Sequence, residues 1–213
     1  MTEKRRLTKS DLEWMNIPPE YWRATVPEVP DSVRDAVIRY ASNVVAYVER
    51  PVGLLFIGPV GVGKTSAAVV LAKEARAWGK TVLYISVWEL REDVRNKVNF
   101  DEGNTVMDRC RQVDLLVLDG LKPEDATGHF VGAKELEELL ASRSSHRRAT
   151  FITTRCSIAD LRSKGFGPML DALTGTVVPL EVRGPNRRIE QNKELLALFA
   201  PDPKGGEPGK GKG

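Results

Sequence analysis

Gly58-Pro59-Val60-Gly61-Val62-Gly63-Lys64-Thr65 is the stretch of sequence that decides the fold of this 213-residue chain. Its glycines permit backbone angles that side chains forbid, so successive N–H groups can point inward around a phosphate. The apolar run Gly53–Ile57 precedes it as a predicted strand, and the alanine-rich residues 64–78 follow as a predicted helix. A glycine-rich loop between a strand and a helix N-terminus is the Walker A context. Residues 58–65 therefore predict a nucleoside triphosphate site.

The cofactors predicted for this site are ATP and Mg²⁺. Lys64 can bridge the β- and γ-phosphates, and the Thr65 hydroxyl is a ligand for Mg²⁺. A second group on the metal side, a carboxylate, is expected at the end of another buried strand. Asp119 directly follows the apolar run 115–118 and is the predicted Walker B residue. The alternative is a plain Asp-Gly turn at the end of a strand.

The residue after Asp119 bears on ATP hydrolysis. Fast ATPases usually carry an acidic residue there to orient the attacking water, but this chain has Gly120. Glu124 and Asp125 lie in the following loop, and their spacing gives no reason to expect that they substitute. The sequence therefore predicts that nucleotide binding is retained and that turnover is slow.

Thr154 and Arg155, at the end of the predicted strand Ala149–Thr154, are catalytic candidates beside Lys64 and Asp119. A polar residue at the tip of the strand next to the Walker A loop can contact the γ-phosphate or its water. A plain cap at the end of the strand is the alternative for both residues.

The alternation of apolar runs and helical patterns predicts the architecture. Strands alternating with helices indicate an α/β P-loop NTPase with a RecA-like core: a parallel five-stranded sheet, helices on both faces and no large C-terminal lid domain. The remaining predicted strands are 81–87, 114–118 and 177–182. The remaining helical patterns are 31–48, 89–112 (helix plus loop), 133–144 and 186–199.

The two ends of the chain differ from its middle. Residues 201–213 hold almost nothing that could be buried, so ordering them would cost backbone entropy without an apolar return. The predicted organisation is an N-terminal lead (1–29), an NTPase domain (30–200) and a disordered tail (201–213).

Composition restricts the setting of the protein. With 41% hydrophobic and 29% charged residues the chain is globular, and its apolar stretches are far shorter than the roughly 18–20 residues of a membrane span. No apolar segment of a secretory signal follows Met1, and two cysteines cannot make a disulfide framework. The net charge of +3 is too small to name a nucleic-acid partner. We therefore expect a cytoplasmic protein that does not contact a membrane.

Five stretches of the sequence follow one family pattern: residues 17–22 (an "I-P-x-x-Y" entry), 53–65 (Walker A and its strand), 115–119 (Walker B), 151–155 (sensor 1) and 184–188 (a closing "G-x-S-x-R"). Through them, most of the chain resembles the DnaC/IstB-like helicase-loader ATPases of the AAA+ class. The resemblance implies that residues 30–200 form an AAA+ ATPase domain, that the lead (1–29) binds a partner, and that Arg188 contacts nucleotide, as the arginine of the family's closing motif.

The chain departs from this family pattern where hydrolysis is concerned. Arg155 replaces the usual sensor 1 asparagine, and Ala172 stands where the family's "D-R-L" supplies an arginine to the neighbouring subunit's nucleotide. Arg155, Arg162 and Arg188 all stay open as replacements for that arginine. Together with Gly120, these departures place fast turnover in doubt.

The resemblance implies a protein that places a replicative hexameric helicase onto single-stranded DNA, with a homo-oligomer as a further option. Trp14, Ile17, Tyr21 and Trp22 could grip the helicase, or they could pack onto the ATPase core. The candidate contacts to single-stranded DNA are Arg91, Arg95, Lys97, Arg109 and Arg111.

Acidic residues are interspersed among these basic side chains, so a solvated face of mixed charge is the alternative to DNA binding. Two other functions also remain open at this point. One is an IstB-like transposition helper ATPase, which would share the core but serve a transposase. The other is a small-molecule P-loop kinase, against which the chain shows no arginine-rich lid segment.

Overall fold

The computed structural model describes residues 3–96, 105–122, 133–197 and 199. Within them lies a parallel sheet of five strands in the order β2-β3-β4-β1-β5. The strands are β1 (Gly53–Ile57), β2 (Val82–Ser86), β3 (Leu115–Leu121), β4 (Ala149–Thr154) and β5 (Val177–Glu181). The predicted α/β fold is confirmed, and each predicted strand is present to within a few residues.

Helices connect these strands. They are α1 (Lys9–Trp14), α2 (Asp31–Ser42), α3 (Val44–Glu49), α4 (Lys64–Ala77), α5 (Val87–Asn96), α6 (Val106–Gln112), α7 (Ala133–Ser145), α8 (Ile158–Leu161), α9 (Gly167–Ala172) and α10 (Arg187–Ala197). Short 3₁₀ turns cover Pro19–Tyr21 and Val26–Glu28, and a π-helical turn covers Arg162–Phe166. The predicted tail, 201–213, lies outside the described residues.

Two helical regions differ from the sequence-based expectation. The pattern over 31–48 forms two helices rather than one, because Asn43 leaves helical geometry with φ −126° and ψ 22°. Between β4 and β5, where the sequence predicted no element, the chain forms α8, the π turn and α9. Gly165 interrupts them with φ +101°, and no element there is long enough to show a helical period.

The core consists of one apolar cluster on each face of the sheet. Neighbouring strand residues point to opposite faces, so Phe56 and Phe151 pack in one cluster while Leu55 and Ile152 pack in the other. Helix α4 is buried on the first face through small side chains, which let it lie close to the strands. The sheet is covered on both faces, as its uninterrupted apolar strands predicted.

The N-terminal lead, residues 3–29, packs against the α4 side of the sheet. Met15 is fully buried and Ile17 is 3% exposed, both within the α4-side cluster. The lead also covers the edge strand β2: the Tyr84 N–H donates to the Met15 carbonyl (2.8 Å), and Asn16 Nδ2 donates to the Tyr84 carbonyl (3.1 Å). A paired edge of this kind is protected from pairing with another chain.

An ion-pair cluster fastens the start of the lead. Asp11 accepts from Arg5 Nη1 (2.8 Å) and lies 3.1 Å from Arg76 Nη2 on α4. The hydrogen bond from Arg5 is the largest cause that holds the pKa of the Asp11 carboxyl well below its usual range, and bonds from Thr8 and Arg76 act in the same direction. The lead is thus joined to α4 by charge as well as by apolar packing.

Candidate nucleotide-binding site

The predicted phosphate-binding residues form one loop between β1 and α4, at the carboxyl edge of the sheet. Gly61 (φ +81°) and Gly63 (φ +99°) lie in the left-handed region that glycine tolerates and other residues rarely adopt. Gly63 is also the N-cap of α4, so the positive end of the helix faces the loop. This is the geometry that binds an anion through backbone N–H groups.

The closing segment 184–188 lies against this loop. A Cβ atom on Gly61 would come within 1.9 Å of Asn186 Oδ1, and the Arg187 N–H donates to the Gly61 carbonyl at 3.0 Å. On the other side of the loop, a Cβ on Gly58 would lie 2.2 Å from the Val182 carbonyl oxygen. The contacts of Asn186 and Arg187 were not predicted, because they join residues more than a hundred positions apart.

Lys64 folds back over the loop that precedes it. Its Nζ donates to the Gly58 carbonyl (2.7 Å) and to the Pro59 carbonyl (2.6 Å). Burial lowers the pKa of Lys64; the charge of Asp119 opposes this shift and that of Arg188 adds to it. The ammonium group is therefore held among acceptors at the mouth of the loop, within reach of a phosphate.

Asp119 lies against Thr65, the threonine of the predicted Walker A loop. Its Oδ1 accepts from Thr65 Oγ1 (2.7 Å) and from Thr153 Oγ1 (2.7 Å), and its Oδ2 accepts from the Tyr84 hydroxyl (2.9 Å). Burial is the largest cause that raises the pKa of Tyr84, followed by the charge of Asp119. The tyrosine therefore stays protonated and donates a hydrogen bond.

The donor set fits the predicted Mg²⁺. A hydroxyl and a carboxylate oxygen, on Thr65 and Asp119, are hard oxygen ligands of the kind that this cation prefers. In the described ranges there is no group of three or more His, Cys, Asp or Glu residues that could hold a metal. Mg²⁺ typically uses few protein ligands and takes the rest from phosphate and water.

The two threonines at the end of β4 have different partners. Thr153 faces Asp119, whereas Thr154 is fully buried: its Oγ1 donates to the Leu121 carbonyl (2.8 Å) and accepts from the Cys156 N–H (3.1 Å). The structure thus supports the cap alternative for Thr154 and not the predicted phosphate contact. Thr153 reaches Asp119 through strand register, because Val117 and Phe151 are partners and Asp119 and Thr153 each lie two residues further on. The sequence pattern alone does not give this register.

Two predicted arginines lie near the carboxyl edge of the sheet. Arg155 is exposed and directly follows β4, the neighbour of β1. The Arg188 and Thr65 side chains lie near the Tyr21 hydroxyl and act to lower its pKa. Burial raises the pKa of Tyr21, with the charge of Asp119 as the second cause. The lead therefore contributes Tyr21 to the site, a contact that the sequence did not predict.

Gly120 and Ala172 are the positions where the sequence lacks a side chain expected for fast hydrolysis. Gly120 has φ +81°, and its N–H donates to Thr153 Oγ1 (2.9 Å). Ala172 ends α9, and its carbonyl accepts from Ser144 Oγ (3.1 Å). Arg162 forms a surface ion pair with Asp171 at 2.7 Å. Glu124 and Asp125, the other acids considered, lie outside the described residues.

Of the basic residues considered for DNA contact, the structure describes Arg91 and Arg95 on α5 and Arg109 and Arg111 on α6, between β2 and β3. Arg95 pairs with Glu92, and Arg111 lies 3.2 Å from Asp108, each one helical turn apart. Arg109 donates to the Trp14 carbonyl (3.2 Å). These pairs match the mixed-charge alternative, and Lys97 lies outside the described residues.

The aromatic side chains of the lead divide between the two roles considered for them. Tyr21 and Trp22 pack against the core, and Trp22 Nε1 donates to the Ile17 carbonyl at 2.7 Å. Trp14 is 46% exposed, with the guanidinium carbon of Arg76 4.8 Å from its ring centroid. Core packing is therefore observed for Ile17, Tyr21 and Trp22, and Trp14 is left as the surface aromatic residue of this set.

A parallel sheet of this strand order, with a Walker A loop after β1 and an aspartate on β3 that contacts the loop threonine, defines an α/β P-loop NTPase of the AAA+ class. A family model described as "IstB-like ATP binding protein" matches residues 33–193. The chain belongs to this family of ATP-binding proteins. It matches no curated protein sequence.

Solved structures of related fold support this assignment. A crystal structure of DnaI is 26% identical with a TM-score of 0.66, covering 81% of this chain and 94% of that one. The DnaC helicase loader is 22% identical with a TM-score of 0.66, covering 78% of this chain and 100% of that one. Domain III of DnaA from Thermotoga maritima is 18% identical with a TM-score of 0.63, covering 88% of this chain and 78% of that one. In the described ranges, no helix has the length and apolar character needed to cross a membrane.

Proposed function

We propose that this protein is an ATP- and magnesium-binding replication factor that helps to place a hexameric replicative helicase onto single-stranded DNA. The observation that carries the nucleotide part is the 2.7 Å hydrogen bond between Thr65 Oγ1 and Asp119 Oδ1. It brings the Walker A hydroxyl and the Walker B carboxylate to one point, beside the loop N–H groups and Lys64.

The residues of the site would share the work of binding. The loop N–H groups and the N-terminus of α4 would hold the phosphates, and Lys64 would exchange its bonds to the Gly58 and Pro59 carbonyls for bonds to phosphate oxygens. Thr65 and Asp119 would hold Mg²⁺, whose chemistry here is to bridge phosphate oxygens and neutralise their charge. Arg188 would reach the nucleotide from the closing segment.

The loader part of the proposal is supported by the likeness to DnaI and to the DnaC helicase loader. It predicts that a hexameric replicative helicase captures the protein and that capture depends on ATP. The test is a pull-down with purified helicase, with and without ATP, using the wild type and Lys64→Ala. Equal recovery in all arms would contradict ATP-dependent association, and no recovery in any arm would contradict the loader role.

Trp14 is the anchor that we propose for the helicase. Exposed tryptophans dominate interface energetics when a partner buries them, and Trp14 lies on the surface of the lead at 46% exposure. Deleting the lead would not test this cleanly, because Met15 and Ile17 belong to the core.

Two single substitutions make a sharper experiment. Trp14→Ala should weaken helicase capture, whereas Trp88→Ala, which removes a 64% exposed tryptophan from α5, should not. If only the Trp88 variant loses binding, or if neither does, the docking surface lies elsewhere on the protein.

A transposition helper is the second candidate function, and the specific observation in its favour is the IstB-like family match over residues 33–193. A helper of this kind would associate with a transposase rather than with a helicase. The same pull-down, run in parallel with a purified transposase from an IstB-type system, separates the two candidates by which protein is retained. The kinase alternative has no supporting observation in the described structure.

A further inference from the structure

Tyr84 lies in the middle of β2, one strand away from the Walker B strand. It is the register partner of Val117, so its side chain is on the same face of the sheet as Asp119, two residues further along β3. The ring is 4% exposed, and its hydroxyl donates to Asp119 Oδ2 at 2.9 Å. Apolar packing of the ring requires no hydroxyl, and this hydroxyl has Asp119 as its partner.

The hydrogen bonds to Asp119 are divided between its two oxygens. Oδ1 accepts from Thr65 and Thr153, at the side of the carboxylate that faces the Walker A threonine. Oδ2 accepts from Tyr84. A carboxylate held at one oxygen can still rotate about that contact, whereas one held at both oxygens has a fixed plane.

The position of Tyr84 is itself held by the lead. Its N–H donates to the Met15 carbonyl, and its carbonyl accepts from Asn16 Nδ2. The edge strand is therefore fastened at the residue whose hydroxyl reaches Asp119.

We propose that Tyr84 is a positioning residue for magnesium: by holding Asp119 Oδ2 it keeps Oδ1 aligned with Thr65 at the place where Mg²⁺ would bind. This inference rests on the proposed ATP–magnesium site. Tyr84 does not contact the metal or the nucleotide, and it acts only through the orientation of Asp119. Its loss should therefore change the magnesium dependence of nucleotide binding and leave metal-free binding almost unaltered.

The experiment compares Tyr84→Phe with a matched tyrosine. Tyr40 on α2 is 3% exposed, and its hydroxyl donates to the Val52 carbonyl at 2.7 Å, away from Asp119. Tyr40→Phe thus removes an equally buried hydroxyl bond without touching the site. Binding of a non-hydrolysable ATP analogue is measured by calorimetry across a magnesium titration and in EDTA.

For Tyr84→Phe we expect the magnesium concentration at half-effect to rise about 3- to 10-fold, the range that one lost neutral hydrogen bond supports. Affinity in EDTA should stay within about twofold of wild type, and Tyr40→Phe should match wild type in both conditions. An unchanged magnesium dependence in Tyr84→Phe would overturn the proposal. So would an equal loss of affinity with and without magnesium, which would mark a structural role.

The wild-type arm separates this inference from the proposed function. If the wild type binds the analogue in a magnesium-dependent manner and Tyr84→Phe does so equally well, only the role of Tyr84 is overturned. If the wild type binds no nucleotide, the proposed ATP site fails, and the role of Tyr84 fails with it.

Discussion

The proposed site has a metal side, where Mg²⁺ would bind, and a water side, where the attacking water would lie. On the metal side Asp119 accepts three hydroxyl hydrogen bonds, from Thr65, Thr153 and Tyr84. On the water side the next residue is Gly120, which offers no side chain. The two halves are separated by a single peptide bond. The first half is built by residues from α4, β2 and β4, whereas the second is a glycine with no carboxylate of its own. The comparison predicts that this chain binds nucleotide and hydrolyses it slowly.

The largest expected effect is on turnover. Hydrolysis needs an oriented water and compensation of the charge that develops on the transferred phosphoryl group. Arginine fingers alone are worth about 10³–10⁵ in rate, and this chain has Ala172 at the position where its family carries that arginine. We expect the isolated wild type to release phosphate far more slowly than ~1 s⁻¹, measured without partner or DNA.

Phosphate release at ~1 s⁻¹ or faster would contradict this prediction, because it would show that the site hydrolyses ATP without an acid at position 120. The control is the same assay on Lys64→Ala, which should show no release above background. Residual release in that variant would identify a contaminating ATPase.

The next-largest expected effect is on ATP affinity, through Lys64 of the phosphate-binding loop. Lys64→Ala removes a cation that is half-buried beside the loop, and hydrogen bonds to charged groups contribute about 1.5–3 kcal/mol each. We expect ATP affinity to fall about 100-fold by calorimetry. Lys80→Ala is the matched control, because Lys80 forms a surface ion pair with Glu49 at 2.6 Å. Affinities within about threefold of each other for the two variants would argue against phosphate binding by Lys64.

The metal side also shows what a sequence can predict and where prediction stops. The loop from Gly58 to Thr65 is contiguous, and Asp119 directly follows an apolar run, so both were found from local pattern alone. Thr153 and Tyr84 reach Asp119 only through the register of β4 and β2 against β3. Register depends on how strands pair in space, and a propensity pattern does not encode it.

The water side and the lead carry a similar lesson. Gly120 was identified as a missing acid, but its left-handed φ could not be inferred from the sequence. Ile17 and the aromatic residues of the lead were compatible with either packing or partner binding, and burial decided this for Ile17, Tyr21 and Trp22. The pattern that identifies an apolar residue does not tell whether the core or a partner will cover it.

Gly120→Ala tests whether backbone geometry requires the glycine on the water side. A Cβ here would meet nothing within 4 Å, so steric overlap is not the cost. The cost comes from the φ of +81°, because L-residues lose about 1–2 kcal/mol in the left-handed region. We expect the free energy of unfolding in urea to fall by about that amount, with Gly167→Ala, at a helical glycine with open space, as the control. Equal stability of Gly120→Ala and wild type would show that the glycine is not fixed by its backbone.

The smallest effects should come from two adjacent threonines of β4. Thr153 contacts Asp119, whereas Thr154 bonds to backbone groups. Thr153→Val removes one of the two donors to Asp119 Oδ1, and it also removes the acceptor of the Gly120 N–H. Because one neutral hydrogen bond contributes about 0.5–1.5 kcal/mol, magnesium-dependent binding of an ATP analogue should weaken about 3- to 10-fold.

Thr154→Val changes the same residue type one position along, where the hydroxyl bonds to Leu121 and Cys156. This variant should lose about 1 kcal/mol of unfolding free energy while its magnesium dependence stays that of the wild type. The reverse result, with Thr154→Val altering the magnesium titration and Thr153→Val leaving it unchanged, would place Thr154 at the nucleotide and remove Thr153 from the metal side.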